Sequence, residues 1–196
     1  MDLQEVENRI WSKLKEKDLA REEGIKLCRE VIRLSQKSIR CTHRGEIEEA
    51  RSYLASARTT LNKAHGILSP HPELRFSGFV YDAQKEYVEG EATLRLILTE
   101  KLPSPEELEA EPAAYLNGLG EAVGELRRYL LDAMRKGDLS RGEDILTIMD
   151  DIYGVLMDMD FPDGITGGLR RTTDIVRGVL EKTRSDLTLA IRQTKS

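Results

Sequence analysis

The chain has 196 residues, of which 33% are charged and 39% hydrophobic, and its formal net charge is −5. A chain of this length can bury a proper core and suits one domain. The negative charge argues against a generic nucleic-acid coat, which usually carries a positive field, unless basic residues gather on one surface and acids on another.

The first predicted helices follow from apolar residues that recur three and four positions apart. The first helix spans about residues 3–44, as one helix or as two in series, and Gly45 ends it. The second spans about residues 46–68 and stops at a Ser-Pro-His-Pro segment, because proline lacks a backbone donor and restricts the residue before it. A third is predicted for about residues 73–101, with an apolar stripe that starts at Phe76.

The carboxyl-terminal half begins with a proline-containing connector. In it Ser104, Pro105 and Glu107 match a capping box with proline at the first helical position. Three further helices are predicted, at about residues 113–136, 140–159 and 169–192, with a loop at FPDGITGG before the last one. Ser140 and Glu143 match a second capping box, at the start of the middle helix of these three.

Together these elements predict an all-α fold. We expect a single domain over residues 1–196, built as a bundle of about six to seven long helices. Gly118, Gly120 and Gly124 follow no strand, so they do not indicate a dinucleotide-binding loop. We expect these glycines to permit close helix approach instead.

Several classes of protein are disfavoured by what the sequence lacks. No apolar run approaches the ~20 residues of a membrane span, and the first residues, MDLQEVENRI, lack the basic and apolar regions of a signal peptide. We therefore predict a cytoplasmic protein with no membrane partner. Cys28 and Cys41 are too few for a disulfide framework and predict reduced structural thiols. The histidines show no ligand spacing and are expected at surface or loop positions: His43, His65 and His71.

Two of the predicted helices carry paired acidic residues. Glu86 and Glu89 are neighbours on one helix face, with Asp82 one turn earlier, and Glu121 and Glu125 are similarly paired on a later helix. Carboxylates on two helices can form an all-oxygen site for Mg²⁺ or Mn²⁺. Such an ion suits phosphoryl chemistry, because it activates water and stabilises charge on phosphate oxygens.

Spacing alone does not require a metal site. In a chain with 35 acidic residues, such pairs also occur on ordinary solvated helix faces, where Lys85, Arg127 and Arg128 would be salt-bridge partners. On the pattern by itself, this simpler interpretation is favoured.

A longer segment changes that balance. AYLNGLGEAVGELRRYLLDAMRKGDLSRGEDILTIMDDIYGVL resembles the translin family, especially its Trax (translin-associated factor X) branch, where a D-Y-L-x-G-x-x-x-x-x-G-E-L-x-R segment precedes N-S-V-x-x-G-D. QKEYVEGEA is similar to the Trax segment Q-E-Y-V-E-A, and the resemblance extends more weakly over nearly the whole chain. The residues that match the longer pattern are Tyr115, Leu116, Gly118, Gly124, Glu125, Leu126, Arg128, Gly137 and Asp138.

The resemblance implies a metal-dependent endoribonuclease that cleaves RNA phosphodiester bonds inside a hollow homo-octamer. It assigns both metal binding and catalysis, with Mg²⁺ or Mn²⁺, to Glu86, Glu89, Glu121 and Glu125. Translin itself has apolar residues at the first two positions, so the chain looks Trax-like. It departs from the pattern at Ala114, which replaces an aspartate, and at Glu121, which lengthens the usual aspartate.

The expected partner is RNA, with single-stranded RNA favoured over duplex, and DNA is the alternative nucleic acid. Lys and Arg neutralise phosphates without reading bases, so basic residues near the acids are candidates for RNA contact. Arg128 also matches the family pattern, and the other candidates are Arg127, Arg75, Lys85 and Lys136, for which an ordinary surface role is the alternative.

Three alternatives stay open from the sequence. One is a non-catalytic, translin-like protein that binds RNA or DNA. Another is an all-α, Mg²⁺-dependent nucleoside-triphosphate pyrophosphohydrolase, since such enzymes likewise use an E-x-x-E helix and a later acid pair. The third is a helical oligomer with no active site.

Overall fold

The structure is a computed structural model that describes residues 2–194, and within this range it contains nine helices and no strand. The helices are α1 Leu3–Arg44, α2 Ile47–Leu68, α3 Pro72–Arg75, α4 Gly78–Ile97, α5 Pro105–Leu108, α6 Pro112–Arg135, α7 Gly142–Asp158, α8 Asp163–Thr166 and α9 Leu169–Thr194. Six of these helices are long, and α3, α5 and α8 have four residues each. The predicted all-α fold is confirmed.

The first helix is continuous over 42 residues. Asp2 caps its start by accepting a hydrogen bond from the backbone N–H of Gln4. Gly45 ends it in the left-handed region, at φ 78°, where its N–H donates to the carbonyls of Cys41 and Thr42. Of the two arrangements that the sequence allowed, one long helix is therefore the one observed.

Three local predictions were wrong. The predicted third helix is interrupted, since Ser77 is extended and separates α3 from α4, and this leaves Phe76 67% exposed. Ser140 does not cap α7, because its hydroxyl and N–H both donate to Asp138. The loop before α9 contains the short helix α8. The capping box at Ser104 is confirmed, with both of its hydrogen bonds present.

The core consists of two groups of buried apolar side chains. One lies among α1, α2 and α4 and includes Leu61 and Tyr87, and the other lies among α6, α7 and α9 and includes Leu126 and Met149. Tyr115, on α6, packs against both groups. Helices α4 and α6 therefore lie side by side at the centre, and each carries one of the two predicted acidic pairs.

Glycines of α6 allow neighbouring helices to approach it closely. A Cβ atom at Gly118 would lie 2.7 Å from the backbone oxygen of Lys85 on α4, and one at Gly120 would overlap Thr172 on α9. Nothing lies within 4 Å of the corresponding position at Gly124. The predicted role in helix approach thus holds for two of the three glycines and is wrong for Gly124.

Both cysteines are buried and unpaired thiols, as predicted. None of the helices described for residues 2–194 is long and apolar enough to cross a membrane. The cytoplasmic location and the single-domain organisation stay predictions.

Candidate metal centre

Three carboxylates converge between α4 and α6. One oxygen each from Glu86, Glu89 and Glu121 lies within 4.8 Å of the other two, and all three residues are partly buried. The first two residues come from successive turns of α4, and the third comes from α6, one turn after the close approach at Gly118. We call these three residues the carboxylate cluster.

The cluster lines a pocket of about 520 Å³ that is formed by α1, α4, α6 and α9. Glu125 lines the same pocket one turn further along α6, outside the cluster. Apolar side chains of α9, Ile175, Val176 and Val179, line it as well. The four predicted acidic residues are therefore brought to one cavity, and three of them are close enough to share an ion.

The cluster is electrostatically unfavourable without a cation. Burial, followed by repulsion from Glu121, Glu86 and Glu125, raises the pKa of Glu89 from 4.5 to about 8. Burial also raises the pKa of Glu86, against the opposing effect of the hydrogen bond that Gln36 donates to its carboxylate. Glu89 therefore holds a proton at neutral pH unless a positive charge is supplied.

Lys85 places one positive charge next to the cluster, and the pKa of Glu89 stays raised despite its opposing effect. Its Nζ atom lies 2.5 Å from Oε1 of Glu121, and its side chain is only 19% exposed. Burial acts to lower the pKa of Lys85, but the hydrogen bond to Glu121 and the nearby carboxylates raise it overall. Lys85 is therefore engaged inside the protein, next to the cluster, and is not a freely exposed cation.

Glu125 is held by a different partner. Nε2 of His43, on α1, lies 2.5 Å from Oε2 of Glu125, and the Arg128 guanidinium lies 3.6 Å from the same oxygen. The hydrogen bond to His43 lowers the pKa of Glu125 despite burial. The surface position expected for His43 was wrong, since its side chain is 5% exposed. His65 is also partly buried, against Gln84 on α4.

The other candidates lie apart from the cluster. Asp82 is exposed and does not line the pocket. Arg127 is bound to Asp186, at 2.7 Å, and to the hydroxyl of Thr183, so it joins α6 to α9. Arg75 and Lys136 are exposed and lie outside the pocket lining. Of the five basic residues predicted to contact RNA, only Arg128 lines the pocket.

The contribution of α1 to the pocket was not predicted from the sequence. Gln36, Arg40 and His43 recur at i, i+4 and i+7, which places them on one helix face. Gln36 and Arg40 line the pocket, and His43 reaches Glu125. The sequence signal for this contribution was the row of polar residues along one face of α1. Only the packing of α1 on α4 shows that this face meets the pocket.

Comparisons with known proteins identify the fold. No protein-family profile matches the chain. It is 34% identical over 190 residues to an uncharacterized protein of Methanocaldococcus jannaschii, covering 96% of this chain and 84% of that protein. It is similar to AfC3PO in a complex with duplex RNA, with a TM-score of 0.88 at 40% identity and 98% coverage of each chain. A crystal structure of AfC3PO gives a TM-score of 0.88 at 39% identity over 100% of each chain.

A more distant structure, apo-NeC3PO, has a TM-score of 0.83 at 21% identity, over 94% of this chain and 96% of that one, and supports the fold alone. These likenesses over nearly the whole chain define an all-α protein with the translin fold. The chain belongs to the C3PO/translin family.

Proposed function

We propose that this chain is the subunit of a metal-dependent endoribonuclease that hydrolyses RNA phosphodiester bonds. The observation that carries the proposal is the carboxylate cluster, in which three partly buried acids lie within 4.8 Å of one another in an open pocket. Converging carboxylates repel one another, which lowers the stability of a purely structural bundle, whereas a bound cation offsets that repulsion. The acids Glu86 and Glu89 support the Trax-like branch of the family.

The residues present fit Mg²⁺ or Mn²⁺. Both ions prefer oxygen ligands, and Glu86, Glu89 and Glu121 would hold the ion, with Glu125 beside them. When bound, a divalent cation supplies electrostatic stabilisation for the charge that develops on phosphate oxygens during hydrolysis. The raised pKa of Glu89 is consistent with this, since burial and the neighbouring carboxylates favour its protonated form, and a cation would offset both.

The surrounding residues orient the acids. Gln36 donates a hydrogen bond of 3.3 Å to Glu86, and His43 contacts Glu125 at 2.5 Å. Partners of this kind fix the direction of ligand oxygens and are commonly needed for full metal affinity. Lys85 neutralises Glu121 and would share this carboxylate with the ion.

RNA is the proposed substrate for two reasons. AfC3PO, which is 40% identical over 98% of this chain, has been seen in a complex with duplex RNA. The pocket is lined by Arg40 and Arg128 beside the acids, and such basic residues neutralise phosphates. Both single-stranded and duplex RNA are therefore tested as substrates.

We also propose that the chain works as a homo-oligomer, with the octamer as the expected order. The amino-terminal part of α1 supports this, because Leu3, Ile10, Trp11 and Leu14 are each more than half exposed. Their spacing places Leu3, Ile10 and Leu14 on one helix face, and an exposed apolar patch of this kind typically marks a protein contact. Light scattering of the purified protein measures the subunit number directly.

The proposed activity is tested with end-labelled single-stranded and duplex RNA in Mg²⁺, in Mn²⁺ and in EDTA. We expect internal cleavage that requires the metal and is lost in Glu89→Gln, while Glu16→Gln, an exposed acid on α1, cleaves as wild type. Cleavage in EDTA would contradict the proposal. RNA binding without cleavage would indicate a non-catalytic translin-like protein, and release of pyrophosphate from nucleotides alone would indicate a pyrophosphohydrolase.

A further inference from the structure

The face of α1 that meets the pocket has one residue without a partner. Gln36 donates to Glu86, and His43 contacts Glu125, so the two ends of the polar row each hold an acid. Arg40 lies between them in the sequence, is exposed, and lines the same pocket. Among residues 2–194, its guanidinium has no hydrogen bond or ion pair, although four acids line this cavity.

The other cations in and next to the pocket are already engaged. Lys85 is paired with Glu121 at 2.5 Å, and Arg128 lies 3.6 Å from Glu125, one turn away on the same helix. The acids are engaged likewise, because Glu86, Glu121 and Glu125 each have a polar partner on a neighbouring helix. Arg40 is thus the one guanidinium of the pocket, within the described chain, that is left to meet a ligand.

We propose that Arg40 binds a phosphate of the RNA substrate next to the carboxylate cluster. This inference rests on the proposed function for the identity of the substrate. A guanidinium offers a planar fork of N–H donors that matches two phosphate oxygens, and it stays charged at every relevant pH. A phosphate beside four carboxylates needs such a partner, because the acids themselves repel it.

Arg40 contacts the substrate in this assignment and does not hold the pocket in shape. The two roles predict different effects on metal binding. Removing a positive charge beside the carboxylates leaves Mn²⁺ affinity unchanged or tightens it, whereas a loss of pocket structure weakens it. RNA affinity and cleavage, in contrast, fall when the phosphate loses its partner.

The test compares Arg40→Gln and Arg40→Lys with Lys63→Gln in the purified protein. Lys63 is an exposed cation on α2 outside the pocket, so its variant removes the same charge elsewhere. Three quantities are measured: Mn²⁺ affinity by calorimetry, RNA affinity across a salt series in EDTA, and single-turnover cleavage of labelled RNA. Circular dichroism melting checks the fold of each variant.

For Arg40→Gln we expect a loss of about 10- to 100-fold in single-turnover cleavage, the usual effect of removing one charged hydrogen-bond donor. We also expect the slope of log affinity against log salt to shrink by about 1, which corresponds to one phosphate contact. Arg40→Lys should recover part of the RNA affinity, and Lys63→Gln should behave as wild type.

Wild-type cleavage and an unchanged salt slope in Arg40→Gln would overturn the assignment, and so would weakened Mn²⁺ binding in that variant. Failure of the proposed function looks different. If the wild-type protein itself does not cleave RNA in Mg²⁺ or Mn²⁺, the nuclease proposal fails, and the phosphate contact is then decided by the RNA affinities and salt slopes alone.

Discussion

Nε2 of His43 on α1 lies 2.5 Å from Oε2 of Glu125 on α6, in a contact that joins residues 82 positions apart in the chain. The imidazole is almost fully enclosed, with 5% of its side chain exposed, so it has little freedom to turn away. The contact fixes the carboxylate of Glu125 at the edge of the pocket and keeps it ionised, as its lowered pKa indicates. This acid is therefore positioned before any ligand binds.

Replacing His43 tests whether this positioning matters. In His43→Ala the carboxylate of Glu125 loses its main partner. Because the family resemblance assigns metal binding to Glu125 as well as to the cluster, we expect Mn²⁺ affinity and RNA cleavage to fall by about 10- to 100-fold, as for other residues that orient metal ligands. His43→Gln should retain part of both, because the amide can donate a hydrogen bond. Calorimetric titration with Mn²⁺ measures the affinity.

His71→Ala serves as the matched control, since His71 lies between α2 and α3, outside the pocket lining. The positioning role would be wrong if His43→Ala bound Mn²⁺ as tightly as the His71→Ala control.

The raised pKa of Glu89 predicts how the metal-free protein responds to pH. Between pH 4.5 and about pH 8 the folded state keeps a proton on Glu89 that the unfolded state releases. The free energy of unfolding therefore falls as pH rises through this window, by up to about 1.4 kcal/mol per pH unit from this group. Urea denaturation in EDTA, at constant protein concentration, measures it.

Glu89→Gln removes the titratable carboxyl from this position, so folding of the variant no longer depends on its protonation. We expect this variant to lose the Glu89 part of the slope and to be more stable than wild type toward pH 8, where the buried charge is most costly. Identical pH profiles of unfolding free energy for the two proteins would show that the pKa of Glu89 is not raised in the folded state.

Metal binding should release a proton from the same residue. Near neutral pH Glu89 is protonated in the metal-free protein, and a divalent cation needs the ionised carboxylate. Mn²⁺ titrations in buffers of different ionisation enthalpy should give a release approaching one proton per cluster, and affinity should rise with pH. In Glu89→Gln we expect weaker binding and no such release, so binding of equal strength without proton release would exclude Glu89 as a ligand.

The close approach of α4 and α6 at Gly118 predicts a contrast between two glycines of one helix. A methyl group at Gly118 would lie 2.7 Å from the backbone oxygen of Lys85, so Gly118→Ala must push the two helices apart. Overpacking of this kind costs about 1–3 kcal/mol, more than the gain of up to about 1 kcal/mol that alanine brings to a helix. Thermal unfolding measures the difference.

Gly124→Ala is the matched control, because nothing lies within 4 Å of the added atom. We expect it to equal or exceed wild-type stability. Equal stability of the two variants would mean that α4 and α6 are not held together as tightly as the structure places them.

Much of the fold could be predicted from the sequence, because apolar periodicity and glycine or proline punctuation act locally. The long helices follow from that pattern, and the end of α1 follows from Gly45. The break before α4 could not be predicted in the same way. Phe76 fits the apolar stripe in sequence, and only the extended conformation of Ser77 shows that the stripe starts after it.

The candidate site could be predicted in part. The four acids were found from a family resemblance and from helical spacing, and the structure brings all four to one pocket. Their partners Gln36 and His43 were missed, because each reaches its acid across a tertiary contact that no local pattern records. The prediction that Arg127 contacts RNA failed for the same reason. Its ion-pair partner Asp186 lies on another helix, so the sequence does not show that this guanidinium is already paired.

The central claim is that acids from α4 and α6 hold one divalent cation together. The most direct measurement is an anomalous difference map from crystals grown with Mn²⁺, for wild type and for Glu89→Gln. We predict a peak between Glu86, Glu89 and Glu121 in the wild type, and a weaker peak or none in the variant. A wild-type map in which Mn²⁺ binds elsewhere while this cluster carries no peak would contradict the account.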